Sequence, residues 1–242
     1  MRVQLLATCI VDSLFPEVGE AAIELLVSAG ARPVFPARQT CCGQPLLNAG
    51  FPAEARALAL HTIETFSDEA PVVVPSGSCT EMIRHRYPEL LANDSRARGQ
   101  ARALAERTYE LSEFLIDQLK IADLAAPQPR FIGYFPSCHL LRGLGVDRQP
   151  LELLEAIPGG SVKRLEPECC GFGGLFSVDH APVSEEMLRR TIRQIKETGA
   201  ELVVGCDASC LMQIEGGLRR AGSSVRCSHL SQALTGQEPG LR

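Results

Sequence analysis

Tryptophan is absent from the 242 residues, and tyrosine and phenylalanine bring the aromatic share to only 5%. So few rings argue against a carbohydrate groove and against a platform on which bases stack. Cations are in no surplus either: the formal net charge is −5, which gives no electrostatic reason to expect a nucleic-acid partner. No apolar run approaches the roughly 20 residues needed to cross a bilayer, and RVQLLATC after Met1 is too short for a secretory leader. The expected location is cytoplasmic, with any attachment to the inner membrane peripheral and made through partners. Three chemical signatures are also missing. The chain has no G-x-G-x-x-G dinucleotide fingerprint, no Ser-His-Asp set or carboxylate pair for hydrolysis, and no CxxC knuckle of the kind structural zinc favours.

Cysteine, by contrast, is plentiful. Ten cysteines stand in a chain that is otherwise ordinary, with 45% hydrophobic and 22% charged residues. A reducing cytosol disfavours disulfides, and adjacent cysteines are poor partners for each other, which leaves metal binding or redox chemistry. Eight of the ten fall into two matching sets. The first is Cys9, Cys41-Cys42-Gly43 and Cys79; the second is Cys138, Cys169-Cys170-Gly171 and Cys210. Partners are separated by 129, 128, 128 and 131 residues. Scattered core cysteines do not keep such a spacing, so the chain reads as two copies of one unit.

The hydrophobic pattern agrees. In the first copy, apolar runs at 2–8, 33–35 and 71–75 predict strands, and helical spacing appears at 18–30 and 53–66. In the second, strands are predicted at 131–135, 161–167 and 201–205, and helices at 151–157 and 183–199. Alternating strands and helices imply an α/β fold of parallel βαβ units, one small sheet per lobe. The lobes are expected at 1–127 and 128–242, with a basic helical insert at about 80–127 that includes an amphipathic helix at 109–120. The insert reads as a solvated connector or as a docking surface for a redox partner. Ala-Pro-Gln-Pro at 126–129 is the expected hinge. Each cysteine of the two sets follows a strand, where parallel sheets collect ligands, so the loops are expected to converge in each lobe.

Four thiolates on separate loops suit an iron–sulfur cluster or a tetrahedral zinc. Adjacent cysteines sit more naturally on two metals of an extended cluster than on one small ion. Gly43 and Gly171, lacking Cβ, let backbone N–H groups approach cluster sulfurs. Of the other polar residues, His139 beside Cys138 is a candidate hydrogen-bond donor or proton carrier, or else a local capping or packing histidine. Asp12 and Asp207 are helix caps or tuners of potential, and His61 and His180 read as surface or helix residues. Cys227 lies outside the repeat and is expected in the core.

The paired pattern resembles the cysteine-rich CCG-domain iron–sulfur family, which includes the B subunit of heterodisulfide reductase and the iron–sulfur subunit of glycolate oxidase. The stretches FPEVGEAAIELL, QTCCGQP, VVVPSGSC, TYELSEFL, SCHLLRGLG, CCGFGGLFSV and CLMQIEGGLRR are similar to the lactate utilisation protein A family within it. The resemblance implies an iron–sulfur electron-transfer subunit of a multi-subunit system oxidising L-lactate to pyruvate. It further implies partner subunits, among them a ferredoxin-like iron–sulfur protein, and a downstream electron acceptor. One departure matters. The family pattern ends in CxxC, but its first position here is Ser76 in one half and Asp207 in the other, with Cys206 out of register by one residue. One four-ligand [4Fe-4S] cluster per lobe is therefore the expectation, with Cys206 a spare thiol or an alternative to Cys210. The alternatives are a catalytic cluster acting on a disulfide or on another 2-hydroxy acid such as glycolate, and a zinc-stabilised interaction protein.

Overall fold

The duplication is realised as two parallel sheets with one strand order. The computed structural model describes residues 1–128 and 130–237. The first sheet contains β1 (Arg2–Leu5), β2 (Arg32–Val34), β3 (Val72–Val74) and β4 (Thr108–Glu110), ordered β2-β1-β3-β4. The second contains β5 (Phe131–Tyr134), β6 (Ser161–Arg164), β7 (Leu202–Gly205) and β8 (Arg226–His229), ordered β6-β5-β7-β8. Every pairing is parallel, and the registers correspond: Val3 stands opposite Pro33 as Ile132 stands opposite Val162. The fold is α/β, as the alternating pattern predicted.

Side chains alternate between the faces of a strand, and that alternation builds three cores. Val3, Leu5 and Val73 of the first sheet and Ile132, Tyr134, Leu202 and Val204 of the second enter one shared core. Val72 and Val74 turn to an outer core on the first sheet, and Val203 to another on the second. With both faces covered, β3 has to be apolar at every position, which is why it reads VVV. The shared core is completed by helices Pro16–Ser28 and Arg148–Glu155 and by the helical segments that follow β4 and β8. Helix Pro16–Ser28 packs on Leu230–Thr235 of the other half, and Arg148–Glu155 packs on Leu111–Glu113. Each half thus buries the inner helices of the other.

The stretch 80–127 differs from the all-helical insert predicted. Its residues 108–110 form β4, and helix begins only at Leu111, continuing as a π-helical turn over Phe114–Gln118. Thr108 and Tyr109 favour a strand, the free edge of β3 supplies a partner, and Glu110 then caps the helix in a capping box with Glu113. The second half repeats this arrangement with β8, where His229 caps Leu230–Thr235 in a box with Gln232. The part peculiar to the first half is the helical excursion through Tyr87–Leu90 and Ser95–Glu106, where the second half has the single helix Ala208–Arg220. Of the expected hinge, Ala126 N–H donates to Leu234 O and Gln128 N–H to Pro158 O, tying it to the second half; Pro129 lies outside the described residues. Among the described residues no helix is long and apolar enough to cross a membrane.

Candidate metal centre

All eight cysteines of the two sets emerge beyond the carboxyl ends of strands. Cys9 opens helix Cys9–Leu14 after β1, and Cys138 precedes the π-helical turn His139–Gly143 after β5. Cys79 lies in helix Gly77–Glu81 after β3, and Cys210 in the first turn of Ala208–Arg220 after β7. That 13-residue helix directs the positive end of its dipole at the site. The two CCG loops follow β2 and β6.

In the first half Cys9 Sγ is 3.5 Å from Cys41 Sγ, and Cys42 Sγ is 3.2 Å from Cys79 Sγ. In the second, Cys138, Cys169, Cys170 and Cys210 all line one cavity. Each half therefore gathers its four thiols, and all are free. What the sequence left open is that the two gatherings face each other. Cys9, Cys42 and Cys79 share the wall of one cavity of about 150 Å³ with Cys138, Cys169, Cys170 and Cys210.

Hydrogen bonds divide the thiols into donors and acceptors. The neighbouring Cys42 and Cys9 side chains and the Gly43 N–H lower the Cys41 pKa to about 3. At its counterpart Cys169, the Cys138 and Cys170 side chains and the Gly171 N–H lower the pKa to about 2. The donors Cys9, Cys42, Cys138 and Cys170 are pushed up, because ionising them would break the bond to the neighbouring sulfur. A second thiolate in either set needs positive charge from elsewhere, and this is the demand that a metal meets.

The CCG glycines have a local reason. Gly43 has φ +87° and Gly171 φ +81°, in the left-handed region. Gly43 N–H points at Cys41 Sγ at 3.4 Å. On their other sides a helix backbone closes in, from Ala55 O at Gly43 and from Ser184 O at Gly171. Tyr87 OH donates to Cys42 O at 2.8 Å, and Ser184 Oγ to Gly171 O at 2.7 Å, so both loops are held by buried hydroxyls.

The remaining candidates separate. Asp207 is 2% exposed and lines the cavity. Its Oδ1 accepts from Ser76 Oγ at 2.8 Å and from Ser78 N–H at 3.0 Å, and its Oδ2 accepts from the Ser137 hydroxyl. His139 also lines the cavity, with its Nδ1 3.5 Å from Glu81 Oε2; the bond to Glu81 raises the His139 pKa and lowers that of Glu81. Asp12 is exposed on helix Cys9–Leu14. His61 Nε2 meets Arg38 O, and the His180 ring lies on Phe176. Cys206 and Cys227 are fully buried, Cys206 beside Glu110 and Cys227 in the outer core of the second sheet.

Sequence reasoning missed Ser137, Glu81 and Glu110, and also Gln44, which lines the cavity and whose Nε2 donates to Ser78 O at 3.1 Å. Ser137 and Gln44 carried a signal, since each adjoins a cysteine motif. Glu110 carried another, the spacing to Glu113 shared by His229 and Gln232. Burial pushes Glu110 up to about 8 and His229 down to about 4, so each is held neutral at pH 7. Glu81 offered no sequence signal.

Thiolate donors, N–H groups turned to sulfur and a cavity bordered by both sets fit an iron–sulfur centre in their chemistry. Among the described residues no three His, Cys, Asp or Glu side chains surround one point in the way a single metal ion requires.

The sequence profile of the cysteine-rich CCG domain matches residues 3–84 and 132–215, one complete cysteine set in each match. Lactate utilization protein A of Halalkalibacterium halodurans is 42% identical over 240 residues, covering 98% of both chains. The chain belongs to the lactate utilization protein A family, within the CCG class. Members from Geobacillus kaustophilus, 41% identical over 97% of this chain and 98% of the relative, and from Exiguobacterium, 42% identical over 96% of each, carry the same name. Among solved structures, a hypothetical protein from Helicobacter pylori aligns with a TM-score of 0.59 at 11% identity. The alignment covers 98% of this chain and 49% of that one, so this family's architecture spans about half of the larger protein.

Proposed function

We propose that this protein is an iron–sulfur electron-transfer subunit of a multi-subunit system that oxidises L-lactate to pyruvate. The single observation that supports it most is the meeting of the two thiol sets at one cavity, lined by three cysteines of the first and all four of the second, in a chain whose relatives are named for lactate utilisation. Cys9, Cys41, Cys42 and Cys79 would hold one [4Fe-4S] cluster, within a lobe at 1–127. Cys138, Cys169, Cys170 and Cys210 would hold the other, within a lobe at 128–242. The clusters supply one-electron chemistry when bound. The chain's own residues do the rest: Gly43 and Gly171 turn N–H groups to Cys41 and Cys169, while Tyr87 and Ser184 fix the two CCG loops. Partner subunits, including a ferredoxin-like iron–sulfur protein, deliver and collect electrons on the way to a downstream acceptor, in the cytoplasm or at the inner membrane surface.

The test is anaerobic purification followed by iron and acid-labile sulfide counting and EPR of the reduced protein. About eight irons per chain, with two cluster signals, is the expected outcome. Stoichiometric zinc without iron or sulfide would sink the proposal. A catalytic reading draws on the same cavity, an opening of about 150 Å³ bordered by both thiol sets. Turnover by the isolated, iron-loaded chain would favour it over electron transfer alone.

A further inference from the structure

Ser76 and Asp207 occupy the same place in the two copies, the place where the family pattern carries a thiol. The fold brings them into contact across the two halves. Ser76 Oγ donates to Asp207 Oδ1 at 2.8 Å, and the two residues are 6% and 2% exposed. Asp207 also takes the Ser78 N–H, one residue before Cys79, and the Ser137 hydroxyl, one residue before Cys138. Ser76 Oγ in turn accepts from Cys79 N–H at 3.3 Å. Both carboxylate oxygens are thus engaged by hydroxyl or N–H groups. One buried charge is thereby bonded to the approaches of Cys79 in one half and of Cys138 in the other, while sitting three residues before Cys210.

The two halves also touch closely around this point. A Cβ on Gly77, between Ser76 and Ser78, would stand 2.7 Å from Leu140 Cβ on the turn that follows Cys138. A Cβ on Gly143, at the end of that turn, would stand 2.7 Å from Glu81 Cγ. Neither half can slide on the other without losing the Asp207 bonds. Each of the two non-thiol positions is therefore bonded to the other across the halves.

We propose that Asp207 is a positioning residue shared by both cysteine sets, whose carboxylate fixes their separation and holds down the reduction potential of both centres together. The inference rests on the iron–sulfur reading above. A desolvated negative charge opposes the arrival of an electron at either centre. The Ser76 hydroxyl offsets part of that charge by donating to it. The two residues therefore have opposite signs of effect, which a merely structural role does not produce.

Asp207→Asn and Ser76→Ala, purified anaerobically beside the wild type, test this by iron counting and EPR-monitored redox titration. Asp207→Asn keeps the shape and removes the charge; iron per chain is expected to stay at the wild-type count while both midpoints rise. Ser76→Ala keeps the charge and removes a donor, so both midpoints are expected to fall. A shift confined to one centre, no shift at full iron content, or shifts of the same sign in the two variants would overturn the proposal. If Asp207→Asn does not fold, Ser76→Ala alone must lower both midpoints, and unmoved midpoints there reject the idea. An iron-free wild type rejects the cluster reading and this inference with it; an iron-loaded wild type with unmoved variants rejects the inference alone.

Discussion

Gly43 and Gly171 hold one motif position in two copies, yet alanine at the two places meets different neighbours. At Gly171, with φ +81°, a Cβ would lie 2.5 Å from Ser184 O and 3.2 Å from Met187 Cβ. At Gly43, with φ +87°, the nearest atom would be Ala55 O at 3.3 Å. Both alanines incur the left-handed penalty of roughly 1–2 kcal/mol, less about 0.4–1 kcal/mol from the lower freedom of the unfolded chain. Gly43→Ala should thus destabilise by about 1 kcal/mol. Gly171→Ala adds a backbone overlap, and relieving it pushes back the start of helix Ala181–Thr198 and strains the Ser184 Oγ bond to Gly171 O. Crowding of that kind costs a further ~1–3 kcal/mol, giving about 2–4 kcal/mol in all. Guanidinium unfolding of both variants and the wild type at one pH, with iron counted beforehand, measures the difference. Equal losses, or a larger loss at Gly43, would refute the reasoning and show that the 181–198 helix yields freely to the loop.

Three further outcomes follow from the same geometry. Glu110 is fully buried with a pKa of about 8 against an ordinary 4.5. Between those values the unfolded chain releases a proton that the folded chain keeps, so stability falls with rising pH. Glu110→Gln should remove a slope of up to about 1.4 kcal/mol per pH unit, seen in unfolding midpoints at successive pH values, and an unchanged slope would rule out this assignment. Tyr87→Phe leaves Cys42 O without its donor in the core and should cost about 1–2 kcal/mol, again read by denaturant unfolding; a neutral result would mean that the carbonyl finds another partner. In iron-free protein, Cys41 and Cys169 should be the cysteines alkylated by iodoacetamide at pH 5, with Cys9 and Cys138 resisting, as mapped by mass spectrometry. Uniform modification appearing only near pH 8–9 would contradict the proton sharing.

Much of the architecture was legible in the residues. The runs before Cys9, Cys79, Cys138 and Cys210 became β1, β3, β5 and β7, because short, largely apolar stretches bounded by turn residues are what a buried parallel strand requires. β4 and β8 went unread. Three or four residues such as Thr108–Glu110 and Arg226–His229 show too little alternation to declare a strand, and only the free edges of β3 and β7 recruit them. At the site, the thiols were visible as types and spacings. Glu81 was not visible at all, because its role comes from burial beside His139 on the opposite half.

The sequence by itself determined that the chain is two copies and that each copy brings four thiols to the ends of parallel strands, with the non-thiol pair Ser76 and Asp207 at matching places three residues before the last cysteine of each. Only the tertiary structure decided that both sets border one cavity and that the two odd residues bond to each other over a separation of 131 positions. The reason is physical. A hydrophobic pattern records which faces of a strand or helix must be buried, but it carries no register between two buried faces. That register is set when the inner helices of one half pack on those of the other, and with it the place of Asp207 between the two cysteine sets.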